Sequence, residues 1–267
     1  MKKAYIGLSL LLTLALALFI YLSMHGEALE QHHVKTGSFA RVLFGDTTRH
    51  RLPSPIQRRR GRIVATAPTA QEDFSQRVDT ARKSILFIGD SMLEGLGPRL
   101  AAYAKENGHT LVNVIWYSST TEVWGRTEKL KGYIEEYHPD YIFVSLGGNE
   151  LFVSNIRDRR QKYLDHILSQ IGDIPFVWIG PPNWKPDTGI NEMLAETLRP
   201  GQFYLSYTPD QHYVRARDGA HPTRASAAAW MDRVCAWVMA HAAHRIVLNR
   251  PTAARAHCHT VILAPAK

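Results

Sequence analysis

The chain of 267 residues has only two cysteines, Cys235 and Cys258. Two cysteines are too few for the disulfide framework of a small secreted domain, and no four-ligand zinc pattern accompanies them. The segment from His257 to His259 does not supply such a pattern, because adjacent side chains point in different directions and no second ligand cluster follows. We therefore expect neither a metal ion nor another cofactor. Whether the two cysteines pair with each other stays open.

Internal repeats and long low-complexity tracts are also lacking. With 45% hydrophobic and 21% charged residues, the composition excludes a disordered or collagen-like chain and is sufficient for a full hydrophobic core. Lys and Arg outnumber Asp and Glu by 32 to 24, a formal net charge of +8, which favours contact with anionic surfaces. Many of the basic residues fall in one linker without a recognised nucleic-acid motif, so we do not expect nucleic acid as a partner.

One long apolar run without charges extends from Ala4 to Met24. Its length of about 20 residues matches the hydrocarbon thickness of a bilayer. This favours a retained transmembrane helix over a cleaved signal peptide, whose apolar core is usually about 7 to 15 residues long. Lys2 and Lys3 precede the run, and this charge placement favours a periplasmic or extracellular position for the rest of the chain.

The remaining sequence divides by composition. We predict a membrane anchor at residues 1–24, a basic polar linker at 25–81, a globular catalytic domain at 82–243 and a C-terminal tail at 244–267. The linker contains several arginines and the prolines Pro53 and Pro55, which mark a solvated spacer rather than a regular element.

Five short β-rich runs alternate with segments of helical spacing in the globular part. These runs are Ser84–Ile88, Thr110–Tyr117, Tyr141–Leu146, Phe176–Ile179 and Phe203–Tyr207. Parallel neighbouring strands need crossover connections, which are usually helical. The alternation therefore predicts an α/β fold with a five-stranded parallel sheet, a three-layer α/β/α sandwich.

Polar residues follow the predicted strands, at the edge where open parallel sheets bind ligands. Ser91 follows the first strand, and Asp218 and His221 lie beyond the fifth. A serine hydroxyl needs a neighbouring base before it attacks an ester, and a carboxylate orients that base. We predict Ser91 as nucleophile, His221 as base and Asp218 as its orienting group. His109 and His212 stay as alternatives to His221.

The tetrahedral oxyanion formed by such an attack needs hydrogen-bond donors that are already in position. The candidate donors are the Ser91 backbone N–H, the Asn149 side-chain amide and a backbone N–H near Ser119. Gly147 and Gly148 permit the tight turn that presents Asn149.

In their order along the chain, these blocks resemble the SGNH or GDSL-type hydrolases. The matching segments are Gly89-Asp90-Ser91, Gly147-Gly148-Asn149-Glu150 and Asp218-Gly219-Ala220-His221-Pro222. The resemblance covers roughly Lys83 to His241. It implies a flavodoxin-like sandwich, the roles given above for the Ser-His-Asp triad, and Asn149 in the oxyanion hole. The chain departs from the family pattern at Ser119, where Gly is common, at Glu150, where Asp is common, and at Met92, which replaces Leu.

Aromatic side chains flank the predicted site, and we assign Trp116, Trp124, Glu150 and Trp184 to the substrate pocket. The resemblance and the anchor together predict a membrane-anchored serine esterase that removes acetyl groups from an envelope carbohydrate or polymer. A glycan O-acyltransferase, a lipid esterase or thioesterase, and a non-catalytic envelope-binding module are the alternatives. The expected partners are an acylated carbohydrate or lipid substrate and the membrane, through residues 4–24. The sequence does not identify a partner membrane acyltransferase.

Overall fold

A computed structural model describes residues 77–265 of the protein. The predicted anchor and most of the predicted linker lie outside these residues. The strands are β1 (Ser84–Gly89), β2 (Thr110–Trp116), β3 (Tyr141–Ser145), β4 (Phe176–Ile179), β5 (Phe203–Tyr204) and β6 (His259–Leu263). The helices are α1 (Leu93–Glu106), α2 (Thr121–Gly125), α3 (Lys129–Tyr137), α4 (Ile156–Ile171), α5 (Ile190–Thr197) and α6 (Arg224–His241). Between residues 77 and 265, no helix is both long and apolar enough to cross a membrane.

The six strands form one sheet in the order β5-β4-β3-β1-β2-β6, and every neighbouring pair is parallel. The α/β fold with a parallel sheet is therefore confirmed, and the first five strands have the flavodoxin-like order. The predicted count of five strands is wrong. Residues of the predicted C-terminal tail form β6, which pairs with β2 so that Thr260 lies opposite Asn113.

The central strands are buried on both faces, as expected for a parallel sheet covered by helices. In β1, the residues from Ile85 to Gly89 are all buried. One face of the sheet packs against α1 and α6 through residues such as Leu96 and Trp230. The other face packs against α2, α3, α4 and α5 through residues such as Trp124 and Leu164. The result is three layers, with the sheet in the middle.

The two cysteines do not form a disulfide. Cys235 is buried in α6, whereas Cys258 is half-buried just before β6, and both thiols are free. Burial raises the pKa of both thiols above the usual value. The sequence leaves open whether Cys235 and Cys258 pair with each other, and their separate positions in the structure show that they do not.

Gly89 ends β1 at the point where the chain turns toward Ser91. A Cβ atom at this position would lie 2.3 Å from the Ser145 carbonyl oxygen on β3 and 2.5 Å from a Leu93 methyl group. The backbones of β1 and β3 therefore approach too closely for any larger residue. This contact holds the residues after β1 against the carboxyl end of β3.

We expect Gly89→Ala to lower the free energy of unfolding by about 1–3 kcal/mol, since the added methyl group overpacks a site bounded by backbone. Gly132→Ala is the control, because Gly132 lies in α3 and no atom comes within 4 Å of a Cβ placed there. In the control variant, the free energy of unfolding should rise by up to about 1 kcal/mol, because alanine has a better helix propensity than glycine. Urea unfolding of both variants checks this, and losses of equal size would contradict it.

Candidate active site

Ser91 lies in the short connection between β1 and α1. Its neighbour Asp90 donates its backbone N–H to the Ser145 carbonyl oxygen at 3.3 Å, and Ser91 accepts at its own carbonyl oxygen from the Glu94 N–H at 3.1 Å. The Ser91 hydroxyl is thereby held at the carboxyl edge of the sheet, at the start of a helix. No described residue accepts a hydrogen bond from the Ser91 N–H.

His221 lies in a hairpin formed by residues 214–223. The two sides of this hairpin are joined by hydrogen bonds from Thr223 N–H to the Val214 carbonyl and from Ala216 N–H to the His221 carbonyl, each of 2.8 Å. The turn at the tip contains Gly219 with φ of +72°, a left-handed conformation that glycine adopts without strain. The hairpin presents Asp218 and His221 to the same side.

The Asp218 carboxylate is fixed at both oxygens. Its Oδ1 atom accepts from the Ala220 and His221 backbone N–H groups at 2.9 and 3.0 Å, and its Oδ2 atom lies 2.7 Å from His221 Nδ1. These hydrogen bonds lower the pKa of Asp218 to about 2, and the one from the His221 backbone N–H has the largest effect. Asp218 is therefore ionised at neutral pH and accepts a hydrogen bond from His221 Nδ1–H, which leaves Nε2 of a neutral ring as the acceptor.

The structure brings the three predicted residues into one hydrogen-bonded chain. Ser91 Oγ lies 2.7 Å from His221 Nε2, and His221 Nδ1 lies the same distance from Asp218. The alternative histidines lie elsewhere. His109 accepts from the Lys83 N–H and contacts the Val247 carbonyl oxygen, whereas His212 is exposed and does not contact Ser91.

Asn149 lies in the turn after β3, where its side chain contacts Asp90, the residue before Ser91. Gly147 has φ of +118°, which permits this turn. The Asn149 Nδ2 group donates to the Ser119 carbonyl oxygen at 3.0 Å and to Asp90 Oδ2 at 3.3 Å. Both amide hydrogens therefore have acceptors, and the bond to Asp90 is the longer one. An additional acceptor would have to replace Asp90 as the partner of Asn149.

The predicted donor role of the Ser119 backbone is not supported by this geometry. The Ser119 N–H already donates to the Trp116 carbonyl oxygen at 3.1 Å. Its hydroxyl accepts from Trp124 Nε1 at 3.0 Å, and the residue is fully buried. Ser119 contributes to the site through its carbonyl oxygen, which holds Asn149.

Two residues of the predicted substrate pocket are buried, so their assignment to it is wrong. Trp124 and Glu150 have no exposed surface. The Glu150 carboxylate accepts from the Thr121 N–H and hydroxyl at 2.9 and 2.7 Å and forms an ion pair with Arg160 at 2.7 Å. Glu150 thus ties the Asn149 turn to the start of α2. The sequence could not show this, because a carboxylate beside a strand end is equally compatible with substrate contact.

The other two predicted pocket residues are partly exposed. The Trp116 ring packs edge-to-face on Trp124, with 5.3 Å between ring centroids. Trp184 donates from Nε1 to the Gly148 carbonyl oxygen at 2.8 Å. Of the three tryptophans assigned to the pocket, it is therefore Trp184 that contacts the turn that carries Asn149.

A cleft of about 780 Å³ opens beside the three residues. Ser91, Asp218 and His221 line it together with residues of α1, β2 and β6. The wall formed by residues 256–262 is absent from the sequence-based prediction, which assigned no role to this part of the chain. The sequence also gives no signal for this wall, because a five-residue strand with two polar positions resembles many loop segments.

Arg215 is a further residue near the site that sequence reasoning missed. Its guanidinium donates from Nη1 to the Ala220 carbonyl oxygen at 2.8 Å. The Nη2 atom donates to the carbonyl oxygens of Pro182 and of Asn183, the latter at 3.0 Å. Arg215 thus joins the hairpin of residues 214–223 to the loop after β4. A lone arginine in the sequence carries no indication of such contacts.

Asp90 is the second residue whose importance emerges from the structure. It is 1% exposed, and its Oδ1 atom accepts from the Met92 N–H at 2.9 Å while Oδ2 accepts from Asn149. Burial raises the pKa of Asp90 to about 7, against the opposing effects of the Met92 N–H and His221. Asp90 therefore changes its charge near neutral pH while in contact with Asn149.

No protein-family model matches the chain, and no curated protein matches its sequence. Similar solved structures include the psychrotrophic esterase EstA from Pseudoalteromonas sp., in a form inhibited by monoethylphosphonate, with a TM-score of 0.42 and 16% identity over 57% of this chain and 93% of that one. TesA has a TM-score of 0.44 and 19% identity over 57% and 95% of the two chains. The lipase/acylhydrolase from Enterococcus faecalis has a TM-score of 0.45 and 19% identity over 58% and 95%. At such low scores and identities, function has to be inferred from the site itself.

The raised pKa of Asp90 predicts a pH dependence of stability. Between about pH 4 and pH 7 the folded protein holds a proton on Asp90 that the unfolded chain has released, so stability falls as pH rises through this window. We expect Asp90→Asn to reduce this fall. The two proteins are compared by the slope of the free energy of unfolding against pH and not by its absolute value, because the substitution also changes the contact with Asn149.

Urea unfolding at several values between pH 4.5 and pH 8 measures this slope. Asp173→Asn is the control, since Asp173 is an exposed carboxylate in the loop before β4. Parallel curves of stability against pH for the parent protein and Asp90→Asn would show that Asp90 does not titrate in this range.

Proposed function

We propose that the chain is a serine hydrolase of ester bonds that works through an acyl-enzyme on Ser91. The observation that supports this most strongly is the continuous hydrogen-bond chain from Asp218 through His221 to Ser91, with two contacts of 2.7 Å. This is the arrangement in which a base removes the serine proton while a carboxylate fixes the base. The three residues line a cleft of about 780 Å³, which is large enough for a small-molecule ligand.

In the first half of the reaction, Ser91 Oγ attacks the carbonyl carbon of the ester. The Ser91 proton moves to His221 Nε2, and the resulting imidazolium is stabilised by the ionised Asp218. When the carbon–oxygen bond of the tetrahedral intermediate breaks, His221 returns the proton to the departing alkoxide oxygen. An alcohol leaves, and the acyl group stays on Ser91.

The negative oxygen of the tetrahedral intermediate needs donors aimed at it. The Ser91 N–H is one, since no described residue accepts its hydrogen bond. The Asn149 amide is the second, and it would exchange its 3.3 Å contact with Asp90 for the oxyanion. Its shorter contact with the Ser119 carbonyl would keep the side chain in place during this exchange.

In the second half, a water molecule replaces the alcohol. His221 Nε2 removes a proton from the water as its oxygen attacks the acyl carbon, and the bond to Ser91 Oγ then breaks. Ser91 recovers its proton from His221, and a carboxylic acid leaves. Acyl transfer to a sugar hydroxyl would follow the same steps with that hydroxyl in place of water.

The substrate that we propose is an acetyl ester on an envelope carbohydrate or polymer. The apolar run at residues 4–24, with Lys2 and Lys3 before it, supports a protein held at the membrane with its active site in the periplasm or outside the cell. The mixture of polar and apolar side chains along the cleft supports a substrate with both kinds of surface.

Substitution of the triad tests the reaction. Ser91→Ala should lower kcat for p-nitrophenyl acetate by at least about 10⁴-fold. Asp218→Asn should lower it by up to about 10⁴-fold, because the amide favours the wrong tautomer of His221. Asp173→Asn is the matched control and should leave kcat unchanged. Hydrolysis that persists in Ser91→Ala would exclude Ser91 as the nucleophile.

Arg215 should act as a positioning residue for His221. Arg215→Met keeps the apolar part of the side chain but removes the hydrogen bonds to Ala220, Pro182 and Asn183. We expect kcat for p-nitrophenyl acetate to fall about tenfold with little change in KM, because small displacements of a base slow proton transfer. Arg217→Met is the control, since Arg217 is exposed in the same hairpin. A lower melting temperature with unchanged kcat would assign Arg215 to stability alone.

A further inference from the structure

A tight turn at the end of β2 holds the Asn149 side chain. The Ser119 N–H donates to the Trp116 carbonyl oxygen at 3.1 Å and closes what we call the Trp116–Ser119 turn. Its two central residues, Tyr117 and Ser118, both line the cleft described above. At the end of the turn, the Ser119 carbonyl oxygen accepts from the Asn149 amide at 3.0 Å. The position of Asn149 therefore depends on the position of this turn.

Ser118 has an unfavourable backbone conformation in this turn. It is an exposed residue with φ of +59°. A positive φ at the third residue of a turn normally calls for glycine or asparagine. A residue with a larger side chain is sparsely populated in this region, and it stays there only where the surrounding contacts determine the backbone. Contacts on both sides of Ser118 must therefore hold the turn.

The contacts on the two sides of Ser118 are different in kind. On one side, Ser119 is fully buried, and its hydroxyl accepts from Trp124 Nε1 at 3.0 Å. On the other side, the half-buried Tyr117 donates from its hydroxyl to the Glu94 carboxylate. This hydrogen bond raises the pKa of Tyr117 above its usual value, so the phenol keeps its proton and stays a donor.

Glu94 belongs to the same segment of chain as the nucleophile. It lies in the first turn of α1, and its backbone N–H donates to the Ser91 carbonyl oxygen at 3.1 Å. The hydrogen bond between Tyr117 and Glu94 thus joins the nucleophile segment to the Trp116–Ser119 turn. Because Asn149 also contacts Asp90, these residues form a closed ring of contacts, in the order Ser91, Glu94, Tyr117, Ser119, Asn149 and Asp90.

The support of the turn becomes most important when the oxyanion forms. In the proposed reaction, Asn149 exchanges its contact with Asp90 for the oxyanion. The Ser119 carbonyl oxygen is then its remaining hydrogen-bond partner among residues 77–265. A donor stabilises an oxyanion only if it is already aimed at it, and small displacements of a reacting group are costly in rate. Movement of the turn would therefore slow the reaction without affecting the bound ester.

We propose that Tyr117 and Glu94 are positioning residues of the oxyanion hole, whose hydrogen bond fixes the Trp116–Ser119 turn and, through the Ser119 carbonyl oxygen, the Asn149 amide. This inference rests on the proposed function of Ser91 and Asn149. It assigns to two side chains of the cleft wall an effect on the rate of the chemical step and not on the binding of substrate.

The first test is Tyr117→Phe in the full-length chain purified in detergent. This variant keeps the ring in the cleft and removes the hydroxyl. We expect kcat for p-nitrophenyl acetate to fall about five- to tenfold with KM within about twofold, because the lost support acts on the transition state. Tyr207→Phe is the matched control. Tyr207 is 54% exposed and does not line this cleft, so both constants should stay unchanged.

Glu94 variants show whether the hydrogen bond itself is responsible. Glu94→Gln removes the charge but keeps an acceptor oxygen for the Tyr117 hydroxyl, so kcat should stay within about twofold of the parent protein. Glu94→Ala removes the acceptor and should lower kcat as much as Tyr117→Phe does. The double variant should lose no more than either single variant, since each removes the same bond.

The Asn149→Ala background shows whether the hydrogen bond acts through Asn149. Loss of one oxyanion donor typically lowers kcat by about 10² to 10³-fold, and the remaining activity is measured at a raised enzyme concentration. In this background, Tyr117→Phe should change kcat by less than about twofold, because the amide that it positions is gone. An effect independent of Asn149 would instead multiply with the loss caused by Asn149→Ala.

Four results would overturn the inference. The first is an unchanged kcat in Tyr117→Phe with a lower melting temperature, which would assign the pair to stability alone. The second is a loss that appears mainly in KM, which would assign Tyr117 to substrate contact. The third is an equal loss with and without Asn149, and the fourth is a Glu94→Gln variant as slow as Glu94→Ala. Absence of p-nitrophenyl acetate hydrolysis by the parent protein would overturn the proposed function itself, which separates the two failures.

Discussion

The hydrogen bond between Ser91 and His221 joins two positions that are 130 residues apart, and the proposed chemistry depends on it. It can form because β1 occupies the centre of a parallel sheet, so the connections after the strands meet at one edge. Gly89 lets the backbone of β1 approach β3 at this edge. Asp218 completes the arrangement locally, since it lies three residues before His221 on the same hairpin.

A layer of polar contacts behind these residues holds them in place. Asn149 is positioned by Asp90 and by the Ser119 carbonyl oxygen, while Trp184 fixes the same turn through Gly148. Arg215 anchors the hairpin that carries His221. Such groups are buried or half-buried, so each contact reduces a desolvation cost at the same time as it limits movement. Rigid support of this kind is what a preorganised site requires.

The sequence is sufficient to predict the alternating fold and to single out Ser91, His221 and Asp218, which the structure brings into contact, because both follow from patterns along the chain. The strand runs are apolar, and Ser91 and Asn149 come directly after them. Which polar and aromatic side chains are buried could not be predicted in the same way. Trp124 and Glu150 look like pocket residues in the sequence, but their positions in the core depend on α2 and Arg160. The sixth strand could not be predicted, because His259–Leu263 becomes a strand only by pairing with β2. The oxyanion role predicted for the Ser119 N–H is not supported, because this N–H donates to the nearby Trp116 carbonyl oxygen instead.

The most direct test of the proposed nucleophile is the intact mass of the full-length protein after exposure to a fluorophosphonate, followed by peptide mapping. An activated serine reacts without any knowledge of the natural substrate. One adduct on Ser91 is predicted, absent in Ser91→Ala and formed much more slowly in His221→Ala. An adduct of the same mass and rate in all three proteins, or no adduct on the parent protein, would contradict an activated Ser91.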